Sequence, residues 1–135
     1  MTNNIEFDFE TIEIINNQKD IMTIADIVAL LDGKVLCNHH LIDKKIDYAF
    51  SSDLMSDVLT LKVDNMIVLT GLCNVQVIRT AEVSDASCII FVRNKKVTDD
   101  MLELASDTDL VLVERPYSMY KSSGILYNSG LKPVY

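Results

Sequence analysis

The residues best suited to chemistry in this sequence are short polar stretches that follow apolar runs. Thr70 and Gly71 end the run MIVLTG, and Asn74 stands where a helix is expected to begin. A hydroxyl, a glycine for an unusual backbone angle and a helix-capping amide are the parts of a loop that holds an anion. The loop lacks the further glycines of a dinucleotide-binding loop and the GK[ST] of a P-loop. A capped turn without a ligand is therefore the alternative interpretation.

Arg93, Lys95 and Lys96 form the densest basic cluster of the chain, in VRNKKVTDD directly after the run CIIFV. In open α/β sheets, ligands collect beyond the carboxyl ends of the strands, so this loop and the previous one are expected to meet there. Together they could hold a phosphate or a carboxylate, and the alternative is a solvated loop. A third strand-end loop is expected at residues 114–117. The residues that we predict to bind the anion are Thr70, Gly71, Asn74 and Arg93.

Cys73 is the best candidate for a nucleophile, because a helix N-terminus lowers the pKa of a thiol. Nothing in the sequence brings His39 or His40 to it as a base. Cys37 and the two histidines carry zinc-ligand groups, but adjacent histidines rarely both reach one ion, and a second Cys/His pair is missing. We therefore expect no catalytic residue, no metal site and no cofactor.

The composition excludes several classes of function. The net charge of −8, from 20 acidic and 12 basic residues, argues against DNA or RNA binding, which depends on Lys and Arg. No apolar stretch approaches the roughly 20 residues of a membrane span. Three widely spaced cysteines and the lack of a signal peptide indicate a reduced, cytoplasmic protein.

Short apolar strands alternate with helices, which predicts an α/β fold with a mostly parallel sheet and helices on both faces. Strands are predicted at residues 34–37, 48–51, 66–69, 87–92 and 110–113. The predicted helix caps are Thr23, which has Asp26 as a capping-box partner, then Ser52 or Asp53, Asn74 and Thr98. The last helix is predicted at residues 117–128, with Pro116 in its first turn.

Residues 1–21 are predicted to be an N-terminal extension, and residues 22–135 a single domain. In the extension, Ile5, Phe7 and Phe9 alternate with acidic residues, a period of two that suits an edge strand or an appended arm. Such an arm is expected to serve as a tag or to bind a partner.

The closing stretch RPYSMYKSSGILY is rich in tyrosine and contains a methionine. These residue types suit a core, but they are also enriched at interfaces. We favour the interface and expect a homodimer.

Taken in order, these segments resemble the DRTGG-domain family over roughly residues 22–135. TIADIVALLDGKVL and DYAFSSDLMSDVL look like the family's opening helix, strand and second helix, and the chain from MIVLTGLCNVQVIR to RPYSMYKSSGIL looks like its central and closing part. The signature loop falls at residues 70–74 and a turn that is often glycine-rich at residues 93–95. The Asp-Arg pair of the signature is absent, and Leu72 and Cys73 stand near its place.

The resemblance implies a small, stand-alone α/β module without established catalysis. Family members occur beside CBS-domain pairs in certain pyrophosphatases and attached to phosphotransacetylases, and they are similar to the N-terminal domain of HPr kinase/phosphorylase. The implied role is regulation or assembly, with a partner enzyme and an anionic metabolite or nucleotide as possible partners. Two alternatives remain open: a small enzyme that uses a reactive thiol at Cys73, and a purely structural interaction module.

Overall fold

A six-stranded sheet forms the centre of residues 21–135, which are the residues that the computed structural model describes. The strands are β1 (Met22–Thr23), β2 (Lys34–Cys37), β3 (Lys45–Ile46), β4 (Tyr48–Ser51), β5 (Met66–Thr70), β6 (Cys88–Phe91), β7 (Val111–Glu114) and β8 (Lys132–Pro133). The helices are α1 (Ile24–Leu31), α2 (Met55–Val58), α3 (Val75–Val83), α4 (Asp99–Ser106) and α5 (Met119–Asn128), with a 3₁₀ turn at His39–Leu41. The predicted strands are thus confirmed to within a residue or two.

The strand order is β2-β7-β6-β5-β4-β8, and only β2 runs antiparallel to its neighbour. β1 and β3 form a separate antiparallel pair. The carboxyl ends of the four central strands, β4 to β7, therefore lie along one edge of the sheet. The loops that follow β5, β6 and β7 lie at this edge, and they are the three strand-end loops predicted from the sequence.

Both faces of the sheet are covered, which explains its continuous apolar strands. On one face Ile67, Leu69 and Ile90 belong to a core shared with α1 and α5. On the other face Val68 and Phe91 belong to a core shared with α2, α3 and α4. The predicted α/β class, with a mostly parallel sheet and helices on both faces, is confirmed.

Side-chain caps define the beginnings of three helices as predicted. Thr23 and Asp26 form a reciprocal capping box at α1. Asn74 accepts the amide of Val77 at α3, and Thr98 caps α4 in the same way. In residues 21–135, no helix has the length and apolar character needed to cross a bilayer.

The predicted start of the last helix is wrong by two residues. α5 begins at Met119, and the hydroxyl of Ser118 caps it. Pro116 and Tyr117 stay outside the helix. The reason is a long-range contact, because the carbonyl of Tyr117 accepts the amide of Arg93 at 2.8 Å.

The predicted cap of α2 is also wrong. Its N-cap position is Leu54, which makes no side-chain capping bond. The hydroxyl of Ser52 accepts the amide of Leu54 in the turn before the helix. Asp53 turns away from the helix and bonds to the loop after β5.

The predicted N-terminal extension lies outside the described residues except for Ile21, which precedes β1. The proposed boundary between an extension and a domain therefore stays a prediction. From Met22 onward the chain forms the β1–β3 pair, the six-stranded sheet and the helices that cover it.

Candidate functional site

Three hydrogen-bond donors converge on the carboxylate of Asp53 at the carboxyl edge of the sheet. The amide of Gly71 donates to Oδ1 at 2.6 Å, and the hydroxyl of Thr70 donates to the same oxygen at 3.1 Å. The guanidinium of Arg93 approaches Oδ2 at 3.4 Å. Three of the four predicted site residues are therefore brought together, around a carboxylate that belongs to the protein itself.

Gly71 is needed for space, since its backbone angle is not in the left-handed region. The expectation of an unusual angle there is wrong. A Cβ at this position would lie 2.6 Å from Cζ of Arg93, because the guanidinium packs directly against the glycine. The glycine thus allows the cationic side chain to approach the backbone of the loop.

The left-handed backbone angles lie instead in the loop after β6, at Arg93 (φ 62°) and Asn94 (φ 59°). This conformation is the one that glycine adopts most easily, and it costs other residues about 1–2 kcal/mol. It corresponds to the turn at residues 93–95 for which the family resemblance implied glycines. The turn directs the Arg93 side chain towards Gly71 and Asp53.

Thr70 and Asn74 hold the loop after β5 in place. Thr70 is fully buried, and its hydroxyl also accepts the amide of Leu72 at 3.1 Å. The side-chain oxygen of Asn74 accepts the amide of Val77 as the cap of α3. That oxygen is committed to the helix, so only the side-chain NH₂ of Asn74 is left to meet a ligand.

The ion pair between Asp53 and Arg93 is open to solvent, with side-chain exposures of 49% and 51%. Exposed pairs of this kind contribute only ~0.2–1 kcal/mol. Arg93 can therefore leave Asp53 for a competing anion at little energetic cost. The weak contact of the site is therefore this ion pair, whereas Asp53 also accepts hydrogen bonds from Gly71 and Thr70.

The basic cluster after β6 is divided between two directions. Lys96 lies 4.0 Å from a carboxylate oxygen of Glu114, whose other oxygen accepts the amide of Val97 at 2.7 Å. Arg93 faces the other way, towards Asp53. Of the predicted basic cluster, Arg93 is the residue that contacts the Thr70–Gly71 loop. Lys95 acts on the same loop through its charge near Cys73, and Lys96 is directed to Glu114.

Cys73 lacks the environment of an activated nucleophile. Burial raises the pKa of its thiol above the ordinary value, the charge of Glu114 raises it further, and Lys95 only partly counteracts them. The thiol donates to the carbonyl of Lys96 at 3.3 Å. The pKa is thus raised, with burial as the largest cause, where the helix N-terminus was expected to lower it.

The two histidines lie at the opposite edge of the sheet from Cys73. They follow β2, the antiparallel strand, and a ring nitrogen of His39 is 3.2 Å from the carbonyl oxygen of Val35. Cys37, just before them, is buried and its thiol faces the carbonyl of Leu110. Within residues 21–135, no three His, Cys, Asp or Glu side chains are arranged to hold a metal ion.

Asp53 is the site residue that sequence reasoning missed. Its position at a helix start made a cap the obvious interpretation. The sequence did contain one signal for its role in the site, which is its position directly after β4. Because β4 and β5 are parallel neighbours, their carboxyl ends lie at the same edge of the sheet. An acidic residue there is the natural counterpart of Arg93.

The comparison with solved structures identifies a related fold. The chain is similar to the CBS and DRTGG domains of the regulatory region of Clostridium perfringens pyrophosphatase, solved in complex with its activator, diadenosine tetraphosphate. The TM-score is 0.62 and the identity 13%, over 95% of this chain and 54% of that chain. No protein-family model matches the sequence, and no curated protein is significantly similar to it.

The chain thus spans about half the length of that regulatory region. At 13% identity the similarity concerns the architecture of the chain and does not extend to individual side chains. The finding agrees with the fold that the sequence resemblance implied. What the chain shares with the pyrophosphatase regulatory region is its fold.

Proposed function

We propose that this protein is a non-catalytic regulatory or assembly domain that senses an anionic metabolite, with nucleotides as the favoured class. The observation that carries the proposal is the Asp53 carboxylate, which accepts the donors of Thr70, Gly71 and Arg93. A site that holds one oxyanion through a backbone N–H, a hydroxyl and a guanidinium has the donors that a phosphate group requires. Asp53 acts as an internal substitute for the ligand.

The proposed mechanism is an exchange of anions. A phosphate group carries more charge and more acceptor oxygens than a carboxylate, so it competes well for Arg93 and for the amide of Gly71. Asp53 is then released, and with it the turn that leads into α2. Binding at the sheet edge is thereby converted into a movement of the segment between β4 and α2.

The related fold favours nucleotides among the possible anions. The similar structure is a regulatory region bound to a nucleotide activator. Its own binding residues are not carried over, because the proposal rests on the donors around Asp53. Assembly with a partner enzyme also remains part of the proposal, because the similar structure is the regulatory region of an enzyme.

A titration with anions tests the ligand proposal. Calorimetry with ATP, diadenosine tetraphosphate, acetyl phosphate and inorganic phosphate should give saturable binding to the wild type for at least one of them. Arg93→Ala should weaken that binding tenfold or more. The matched control is Arg79→Ala on the exposed side of α3, which removes the same charge away from the site and should leave the affinity within twofold. Absent binding to the wild type, or equal losses in both variants, would contradict the proposal.

The alternative of a thiol enzyme finds no supporting observation, since the pKa of the Cys73 thiol is raised and the two histidines of the chain lie at the other edge of the sheet. A purely structural interaction module is favoured by one feature, the exposed aromatic side chains Tyr120 and Tyr127 on α5. The expected homodimer is tested by sedimentation equilibrium, where a monomer at all concentrations would refute it. A cytoplasmic location also stays part of the proposal, supported by the free thiols of Cys37, Cys73 and Cys88.

A further inference from the structure

A groove of about 620 Å³ runs between α5 and the edge formed by β4, β8 and the last residues of the chain. Tyr120, Tyr127 and Tyr135 line it and are 91%, 69% and 83% exposed. Gly124 opens the helix wall, since a Cβ there would meet nothing within 4 Å. Contiguous exposed apolar surface of this kind marks an interaction site. Two lysines, Lys121 and Lys132, also line it.

We propose that the N-terminal segment of the same chain occupies this groove, with Ile5, Phe7 and Phe9 as the anchoring side chains. The segment offers three large apolar residues at a period of two, which point to one side of an extended chain. The groove is lined mainly by apolar and aromatic side chains that need such a cover. This surface is distinct from the proposed anion site.

The chain enters the described structure beside the groove. β1 pairs antiparallel with β3, so that Met22 lies opposite Ile46 and Ile21 reaches the level of Asp47. The carbonyl of Asp47 accepts the amide of Lys132 at 3.3 Å, and Lys132 lines the groove. The segment before Ile21 therefore starts at one end of the surface that it is proposed to cover.

The chain between the anchoring residues and the described structure is long enough to reach the groove. Residues 10–20 separate Phe9 from Ile21, and an extended chain of that length spans up to about 36–40 Å. α5 has 10 residues, which corresponds to a helix of about 15 Å. The anchors can reach any point along the groove without leaving their own molecule.

The charges of the segment and of the groove are opposite. Glu6, Asp8 and Glu10 alternate with the apolar anchors. Lys121 and Lys132 stand at the groove, and both residues are exposed. With the anchors turned inward, the acidic side chains lie on the outer side, within reach of the lysines at the rim. These opposite charges favour docking of the acidic segment at the groove of a protein that is acidic overall.

Two rival arrangements fit less well. Strand addition at the β8 edge is hindered by Pro133, which has no N–H to donate to a new strand. A second copy docked face to face about a twofold axis would bring two identical lysine-bearing surfaces together, without the acidic side chains that the N-terminal segment offers. Side-chain docking of the acidic segment avoids both problems.

Hydroxyl-radical footprinting of the full chain tests the proposal. In the wild type, the side chains of residues 5–9 should be oxidised at least tenfold more slowly than in an unstructured peptide of the same sequence. Gly124→Leu, which fills the opening in the groove, and the double variant Phe7→Ala/Phe9→Ala should each remove this protection. Gly124→Ala is the matched control, because its single methyl group leaves the groove open and should preserve the protection.

The hydrogen exchange of amides in β5 and β6 shows in each variant that the fold is intact. A loss of protection in residues 5–9 with an unchanged sheet supports the proposal. Absent protection in the wild type overturns it, as does protection that survives Gly124→Leu. Protection that falls on dilution also overturns it, since this outcome means that the segment of a second copy fills the groove.

Discussion

At the residue scale, Asp53 determines how the proposed anion site behaves. Its carboxylate receives Gly71, Thr70 and Arg93, and so competes with any ligand for the same donors. Asp53→Asn retains an acceptor oxygen for Gly71 and Thr70 but removes the charge. An interaction of unit charges near 4 Å in water is worth about 1 kcal/mol, so we expect phosphate compounds to bind about fivefold more tightly.

The same calorimetric titration measures this effect, with Arg93→Ala as the comparison. The two variants should change affinity in opposite directions, because one removes a competitor and the other removes a donor. The mechanism of anion exchange fails if Asp53→Asn weakens binding as strongly as Arg93→Ala does. Stability should change by no more than ~1 kcal/mol in Asp53→Asn, since the pair with Arg93 is half-exposed.

The reactivity of Cys73 is a second prediction at this scale. Burial and the charge of Glu114 raise the pKa of its thiol, so its thiolate fraction at pH 7 is smaller than that of an ordinary cysteine. Alkylation of Cys73 by iodoacetamide at pH 7 should therefore be slower than that of free cysteine. The rate should still be rising above pH 9, as peptide mapping by mass spectrometry can show. A rate that exceeds that of free cysteine at pH 7 would revive the thiol-enzyme alternative.

At the element scale, two glycines should respond oppositely to the same substitution. Gly124 lies within α5, where an added Cβ meets nothing within 4 Å. Gly124→Ala should raise the free energy of unfolding by about 0.5–1 kcal/mol, because glycine in a helix is entropically unfavourable. Gly33 faces the sheet, and an added Cβ would lie 2.7 Å from a methyl group of Val113. Gly33→Ala should lower the free energy of unfolding by about 1–3 kcal/mol through overpacking.

Urea denaturation of the two variants checks this pair. Both predictions depend only on the space around the glycine, because neither Gly33 nor Gly124 has a left-handed backbone angle. A destabilised Gly124→Ala would indicate that the wall of the groove is filled by a contact that the described residues do not supply. A stable Gly33→Ala would mean that α1 can move away from β7 at little cost.

Most elements were predictable because their signals are local. The runs MIVL, CIIFV and LVLV are apolar throughout, as strands buried on two faces must be. Thr23, Asn74 and Thr98 were recognisable as caps because each bonds to an amide three residues later. These signals lie within a few residues of the element that they define.

The misses have long-range causes. Asp53 does not cap α2, because its carboxylate accepts hydrogen bonds from Gly71 and Thr70, 18 and 17 residues away. The start of α5 is displaced because Tyr117 is bonded to Arg93 on the neighbouring loop. Of the candidate site, the strand-end position and the grouping of Thr70, Gly71 and Arg93 were predictable from the fold. Its internal carboxylate was not, because the pairing of Asp53 with these donors exists only after β4 and β5 have aligned.

At the scale of the whole molecule, the sheet separates two surfaces with different chemistry. The carboxyl edge carries the polar cluster around Asp53 and Arg93, and α5 with β8 carries the apolar groove. The anion exchange at the first surface would release the turn before α2, on the face opposite α5. A ligand signal and a docking surface can thus coexist on one small domain.

The amide of Gly71 reports most directly on the proposed exchange of Asp53 for an anionic ligand, because it donates the shortest hydrogen bond to Asp53. We expect its NMR resonance to shift progressively and to saturate when diadenosine tetraphosphate or ATP is titrated into the ¹⁵N-labelled wild type. The same titration of Arg93→Ala should need at least ten times more ligand to reach half of that shift. If the Gly71 resonance stays in place in the wild type while the ligand binds elsewhere or not at all, Asp53 is a permanent structural partner and the proposed sensing site does not exist.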